Sequence, residues 1–573
     1  MLAIIRAPFA SAGSKLSCLY HIAVLDRLPE GQAGTSHGRT LAAQRSLIFS
    51  FDAVFNRSAD ECHSSTKSFH QEDIAVRNLR SMSLPLLSAA LITVIFAMPV
   101  AAFADSSVSV GGVTLVNKGL VAVGRIPANQ RDKFGETFGS GSGMSIDAKS
   151  WERNADGSYK GSLWLLPDRG YNVVGTTDYR PRLNTIDVEL TPVAPGATPP
   201  AGKEQSGVVA KLADTMLLTD NKGADTTGLD PTNGIRSPKD GMPSLPEAPN
   251  GKISLDNEAI VRLPDGTMFI SDEYGPYIYR FSADGRMMSA TPPPAALLPM
   301  RNGAVNFASN NPGPGESAPD PKDPTSGRQN NQGLEGMSMT PDGKFLIAVL
   351  QSATRQDGGD SGSTRQNTRA LVYDAADLAH LKLVHEYVVP LPVFTNSKGK
   401  TAVAAQSEVV ALSPTSFLML ARDSNNGYGL EGEKSVYRSI DVVDVSTATD
   451  IAGSKFDADT PVAPKGALDA SVKPAMVSQL IDINDSANLA RFGLHNGAPN
   501  DRNNLSEKWE AMSFVSVLDP KLPDDYFLFV ANDNDFLTQD GFQVGAAYKG
   551  EGGADVDTMF QVFQLTIPGL SAK

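Results

Sequence analysis

Residues Ser254–Phe281, SLDNEAIVRLPDGTMFISDEYGPYIYRF, read as a strand, a turn at Pro264-Asp265-Gly266, a second strand ending in acid, and an aromatic third strand. Two later segments repeat the opening. Glu258 stands six residues before Pro264, Glu335 six before Pro341 in LEGMSMTPDGKFLIAVLQS, and Glu408 six before Pro414 in SEVVALSPTSFLMLARDS. Each time a glutamate begins an apolar strand, a proline breaks it, and a second apolar strand carries polar residues at its far end. A fourth unit has Glu510 in EKWEAMSFV, then YFLFVA at Tyr526–Ala531 and Asn532-Asp533-Asn534-Asp535. A looser copy comes earlier, with GSGSGM at Gly139–Met144 and Pro167-Asp168-Arg169-Gly170 after a strand at Ser162–Leu166.

Beyond residue 105 the 3.6-residue period of helices is scarce, whereas short β-rich runs bounded by Gly, Pro, Asn and Asp recur throughout. The four glutamates are 77, 73 and 102 residues apart, longer than the roughly 40–50 residues of a common propeller blade. Four-stranded antiparallel blades with long inserted loops account for the difference. The fold class expected is therefore all-β, a β-propeller of six or seven blades. A pair of β-sandwiches is the rival, but sandwiches do not predict a glutamate at the same point of each repeat. A ring also employs the terminal strands, Val113–Val123 and Met559–Ile567, to complete a blade and leave no open edge. Thr191–Gly202, Thr291–Gly327 and Ala452–Lys473 read as loop insertions, the second long enough to be either a surface loop or a lid.

Arg77 and Arg80 precede an apolar run, Leu84–Val100, and then Ala102-Phe103-Ala104. That order describes a signal peptide at 77–104, cleaved after Ala104, with a transmembrane anchor or a core helix as alternatives. Residues 1–76 then read as a mis-assigned or disordered extension, with a start near Met82, and 105–573 as the working domain. Residues 1–104 hold 9 Lys and Arg and 7 Asp and Glu, so 105–573 has 41 against 57, a net charge of −16. A chain this acidic is a poor partner for nucleic acid or an anionic membrane and suits small ligands, above all where bound cations offset the acid. Both cysteines, Cys18 and Cys62, precede the cleavage point, which excludes disulfides and a thiol nucleophile from the remainder.

In a propeller the first strand of each blade lines the central channel, so Glu258, Glu335, Glu408 and Glu510 are expected to converge at one mouth. Residues at strand ends would join them: Asp168, Asp272, Glu273, Asp423, Asn532 and Asp533. Ionised carboxylates crowded together require a cation, and hard oxygen ligands suit Ca²⁺, with Mg²⁺ or Mn²⁺ possible. The expected metal ligands are Glu258, Glu335, Glu408, Glu510, Asp168 and Asp533. The alternative is that each glutamate only satisfies backbone amides of its own blade. Arg169 and Arg422, beside Asp168 and Asp423, are placed to meet an anion, while Arg328, Arg355 and Arg365 lie in loops. No RHGxRxP, G-x-S-x-G, P-loop or HExxH pattern occurs, which argues against a serine hydrolase or a zinc protease.

NEAIVRLPDGTMFISDEYGPYIYRFSADGRM, PPPAALLP, LEGMSMTPDGKFLIAVLQS, SEVVALS, LMLARD and VANDNDF together resemble the phytase-like family described by esterase-like activity, from about Gly139 to Phe536. The chain departs from that pattern at Glu258-Ala259, where Glu-Gly is expected, and in the Asn302–Gly327 insertion. The resemblance implies an exported hydrolase of phosphoric esters, phytate among them, without fixing the catalytic residues. The expectation is a secreted or periplasmic monomer acting on a small phosphate ester with Ca²⁺. Arg169 and Arg422 would steady the developing charge, and Asp272 or Asp423 would serve as base. A Ca²⁺-dependent lactonase or carboxylic-ester hydrolase is the alternative, and a ligand-binding propeller with structural metal a third.

Overall fold

The structure, a computed structural model, describes residues 106–570 apart from 173, 425, 431 and 433, together with two short strands near the start of the chain. The chain divides into two compact units, Met1–Phe96 and Ala97–Lys573. In the first, Ala3–Ile5 pairs antiparallel with His21–Ala23. The signal peptide expected at 77–104 lies outside the described residues, and among those described no helix is long and apolar enough to cross a membrane.

The second unit is nearly all β, with one short α-helix, Ser486–Arg491, among the described residues. Its strands fall into five antiparallel four-strand arrays. Sheet I is β2 Gly143–Ile146, β3 Tyr159–Leu166, β4 Arg182–Leu190 and β5 Val208–Leu217. Sheet II is β6 Asn257–Arg262, β7 Met268–Asp272, β8 Ile278–Phe281 and β9 Met287–Thr291. Sheet III is β10 Leu334–Met339, β11 Phe345–Leu350, β12 Asn367–Asp374 and β13 Lys382–Pro390. Sheet IV is β14 Ala405–Ser413, β15 Ser416–Arg422, β16 Arg438–Asp444 and β17 Met476–Asp482. Sheet V is β18 Trp509–Ser516, β19 Asp525–Asn532, β20 Thr558–Thr566 and, from the other end of the domain, β1 Val113–Ile126. Among the described residues there are five four-strand arrays rather than six or seven, the Pro- and Gly-rich insertions contributing at most two-stranded hairpins.

The repeated turn explains the hairpins. In Pro264-Asp265-Gly266 the glycine sits at φ +85°, a conformation costly for a residue with Cβ, and Asp265 Oδ1 accepts the Thr267 amide at 2.9 Å. The second strands FLIAVL, SFLMLAR and DYFLFVAN are apolar runs without alternation because both faces of each sheet are covered. Leu166 of sheet I shares a core with Ile270 of sheet II, Phe269 with Leu346 of sheet III, and Val349 with Met419 of sheet IV. Leu420 shares another with Leu528 of sheet V, and Phe529 the last with Leu163, back in sheet I. Each such side chain contributes about 1.5–3 kcal/mol by leaving water. A cavity of about 300 Å³ is lined by Met144, Ile260, Met337, Val410 and Met512, one from the first strand of each sheet.

The insertion at 291–327 is tied down. Arg328 is fully buried and donates to the carbonyls of Tyr274, Phe307, Ala308 and Gln329, and Asp230 accepts the amides of Ser309 and Asn311. This arginine holds the loop through carbonyl oxygens and forms no ion pair among the described residues.

Candidate functional site

Glu258, Glu335 and Glu510 are each the second residue of a first strand, β6, β10 and β18. The ladder slips at each of them. Pairing jumps from Asn257 to Ile260, from Leu334 to Gly336 and from Trp509 to Ala511, so each glutamate sits in a bulge. A bulge re-aims one side chain out of the pleat, and these three turn toward a common centre: Glu335, Glu273, Asp256 and Glu510 all act on Glu258.

Glu408 behaves differently. The slip in β14 falls one residue earlier, at Ser407, and Glu408 stays in register opposite Leu420. Its Oε1 accepts the amides of Val409 (2.9 Å) and Met337 (3.2 Å). Glu408 thus fastens sheet IV to sheet III, the backbone-satisfying role that was the alternative for every glutamate.

Asp168, Asp272, Asp423 and Asp533 follow or end the second strands of four sheets, and each holds a turn. Asp272 Oδ1 accepts the amides of Tyr274 and Gly275 at 2.9 and 3.0 Å, and its Oδ2 accepts the Asp256 amide at 2.7 Å. Asp423 accepts the Ser435 hydroxyl at 2.6 Å and the Val436 amide at 2.7 Å. Asp168 takes the Gly170 amide and Asp533 the Asp535 amide. Asp272 and Asp423 therefore spend their oxygens on local backbone and side-chain donors, whereas Asp168 and Asp533 keep one oxygen each for the mouth.

Three cations of the described residues stand among these acids, each meeting a different number of them. Arg169 Nη1 meets Asp256 Oδ2 at 2.6 Å. Arg422 binds Glu510 and lies 3.6 Å from Glu507. Lys508 Nζ lies 3.3 Å from both Asp533 and Asp535, 3.7 Å from Glu510 and 3.8 Å from Asp168. Burial opposes the charge on Arg422 and Lys508, but their acids outweigh it and hold both groups protonated.

Among the described residues Glu258, Glu273 and Glu335 have no ion pair within 4 Å. All are buried, with relative exposures of 6%, 1% and 2%. Among the described residues Glu335 Oε2 has no donor, and Glu273 receives the Gly333 amide at 3.1 Å. Burial, then neighbouring carboxylates, push Glu258 and Glu335 well above the usual carboxylate range. Burial and then Asp256 push Glu273 up to about 7, against the pull of Arg169. One oxygen each from Asp256, Glu258 and Glu273 lies within 4.8 Å of the others, close enough to share one ion. An all-carboxylate set of this kind, with the donorless Glu335 Oε2 in the neighbouring acid, fits a hard divalent cation such as Ca²⁺.

Of the expected ligands, the structure gathers Glu258, Glu335 and Glu510 at one centre, places Asp168 and Asp533 beside Lys508, and leaves Glu408 on backbone amides. Asp256 and Lys508 were not picked out from the sequence. Both stand two residues before a ring glutamate, in Asp-Asn-Glu and Lys-Trp-Glu, and alternate residues of an extended strand share a face.

Comparison with known proteins follows the same outline. A protein of Arthroderma benhamiae named "Uncharacterized secreted protein" is 40% identical over 459 residues, covering 75% of this chain and 89% of the relative. Among solved structures, a gluconolactonase from Xanthomonas campestris matches with TM-score 0.26 and 10% identity, over 81% of this chain and 95% of its own. The PQQ-bound aldose sugar dehydrogenase of Streptomyces coelicolor matches with TM-score 0.25 and 11% identity, over 82% and 96%. Likeness that faint carries no argument about this chain. The pattern of the family described as phytase-like, esterase-like activity of phytase, matches residues 137–536. The chain belongs to the phytase-like family.

Proposed function

We propose that the chain is an exported, metal-dependent hydrolase of phosphoric esters, built as a five-bladed propeller with its site at the acidic mouth. The ring is supported by cores that run from sheet I through sheet V and back to sheet I. The pairing of β1 with β20 also supports it, because it joins the two ends of the domain. Export is supported by the composition of residues 77–104 and by the name of the 40% identical relative.

One observation carries the chemistry: in a mouth where Arg169, Arg422 and Lys508 are ion-paired with other acids, Glu258, Glu273 and Glu335 have no ion-pair partner among the described residues, Glu273 and Glu335 feeling Arg169 and Arg422 only at longer range. Those three, with Asp256 at the edge, would hold a Ca²⁺ ion. Such an ion supplies charge neutralisation for phosphate oxygens and acidifies a bound water. Arg169 and Arg422 are fixed by their acids at the border of this group, where a guanidinium can steady charge on an ester oxygen. Asp272 and Asp423 act as struts that keep the strand ends in place. The substrate is a small phosphate monoester or a phosphoryl group of a larger one, acted on by a monomer.

The test is to purify the protein without chelator, measure bound divalent metal, and offer phytate, a chromogenic phosphate ester and a lactone before and after EDTA. Phosphate release lost with EDTA and restored by Ca²⁺ supports the reading. Lactone opening alone assigns a lactonase, and activity on none with metal bound assigns a binding protein.

A further inference from the structure

We propose that Lys508 is a built-in cation, its ammonium standing where a second divalent ion would otherwise bind, so that the mouth takes one metal rather than two. The proposal deepens the metal reading above, but its test reads a difference between variant and parent and so stands apart from it.

The mouth contains two groups of acids of similar make. One is Asp256, Glu258 and Glu273; the other is Asp168, Asp533 and Asp535, whose oxygens also lie within 4.8 Å of one another. What separates them is the reach of the cation beside them: in the first group Arg169 is ion-paired with Asp256 alone. Lys508 Nζ is within 3.3–3.8 Å of all three acids of the second group and of Glu510. It is directed there from both ends, since its own carbonyl accepts the Asp533 amide at 2.7 Å. The position just before β18 aims it along the same face as Glu510. An ammonium offers three protons to these four carboxylates, and only Asp533 and Asp535 stand at hydrogen-bond distance. A lysine is a compact point charge on a flexible stem, able to satisfy an acid cluster that fixed guanidinium geometry would not fit. Asp168, from sheet I, and Asp533, from sheet V, are thereby joined without a metal. Beside them lies a cavity of about 20 Å³, which Lys508, Asp533 and Asp535 help to line, room for a single water.

Removing the ammonium leaves four acids whose one remaining ion pair among the described residues is that of Glu510 with Arg422. Lys508→Met is therefore expected to bind one more Ca²⁺ per chain than the parent, read by isothermal titration with CaCl₂ and by elemental analysis after gel filtration. Lys508→Arg keeps a cation and keeps the parent's count, and Lys508→Met with Asp535→Asn loses the extra ion. If Lys508→Met folds only when Ca²⁺ is added, that counts for the proposal. A folded Lys508→Met whose metal count equals the parent's overturns it. So does a Lys508→Met that stays unfolded at millimolar Ca²⁺ while folded Lys508→Gln gains no ion. If the parent binds none, a variant that binds one still supports the role of Lys508 while removing the metal from the proposed reaction.

Discussion

The carboxyl groups of Glu273, just past the end of β7, and Glu335, in the bulge of β10, lie within hydrogen-bonding reach across the boundary of sheets II and III. Two ionised carboxylates do not rest together in a buried site, so the pair holds either a proton or a cation. Glu335→Gln removes one charge and one ligand oxygen and supplies an amide that can donate to Glu273. We expect Ca²⁺ affinity to fall by at least roughly tenfold, on the scale of losing a group that supports a metal site. The metal-free protein should melt no lower than the parent. Titration calorimetry and melting in EDTA measure both. Unchanged affinity would remove Glu335 from the site.

Arg422, from the last position of β15, ties sheet IV to sheet V through Glu510. Both side chains are almost wholly buried, 6% and 3% exposed. Arg422→Met should cost about 3–5 kcal/mol, because it strands a buried charge rather than merely deleting an attraction. Adding Glu510→Gln should recover much of that loss. Urea denaturation of the single and double variants gives the comparison, and equal stabilities for the two would show that Glu510 is satisfied elsewhere.

Among the described residues, one backbone bridge links β1 of sheet V to β5 of sheet I, beside the core the two sheets share. Gly124 of β1 meets Val208 of β5 in a single parallel bridge, and a Cβ on Gly124 would lie 2.0 Å from the Val208 carbonyl oxygen. Gly124→Ala is expected to lower stability by about 1–3 kcal/mol, the usual penalty of overpacking. Gly157→Ala, where a Cβ would meet nothing within 4 Å, serves as a control that probes only its left-handed backbone. If Gly124→Ala melts with the parent, the two sheets can part at that seam without cost.

Much of this was legible in the sequence because strands and turns are local. A glutamate six residues before a proline marks the start of an inner strand wherever it occurs, and that marked Glu258, Glu335 and Glu408 alike. Their different fates were not legible. A bulge shifted by one residue sends Glu408 to backbone amides and Glu335 to the centre, and nothing in SEVVALS or LEGMSM announces which. The mates of the ring also come from other sheets: Arg422 reaches Glu510 from 88 residues away. Asp272 and Asp423 looked like free acids because an aspartate at a strand end reads the same whether it faces a ligand or closes its own turn. The early unit carries Ser142-Gly143-Met144-Ser145 where sheet III has Glu335-Gly336-Met337-Ser338. Both glycines bring a first strand against its neighbour too closely for a Cβ: the nearest atoms would be 2.3 and 2.8 Å away.

Away from the mouth, sheet III buries a second cluster of acids that should set how stability depends on pH. Arg369 is fully buried between Asp357 Oδ2 (2.7 Å) and Glu386 Oε1 (2.6 Å). Glu386 Oε2 and Asp457 Oδ1 both lack a donor, and the two carboxyls are within hydrogen-bonding reach. Tyr373 also faces the cluster, and Asp450 accepts the Glu386 amide. Burial first, then Asp457, push Glu386 from 4.5 up to about 8, although Arg369 pulls the other way. Its folded pKa is thus above its unfolded value, so the folded protein keeps a proton that the unfolded chain gives up. The stability this confers is complete below about pH 4.5 and is lost as pH climbs through about 8, by an amount on the order of a few kcal/mol. Asp457→Asn replaces the repelling carboxylate with an amide that can donate to Glu386 Oε2, which lets Glu386 ionise against Arg369. Urea midpoints taken between pH 5 and 9 should decline with pH in the parent and run flatter in Asp457→Asn. Equal slopes would mean that Glu386 carries its charge in the folded protein without help.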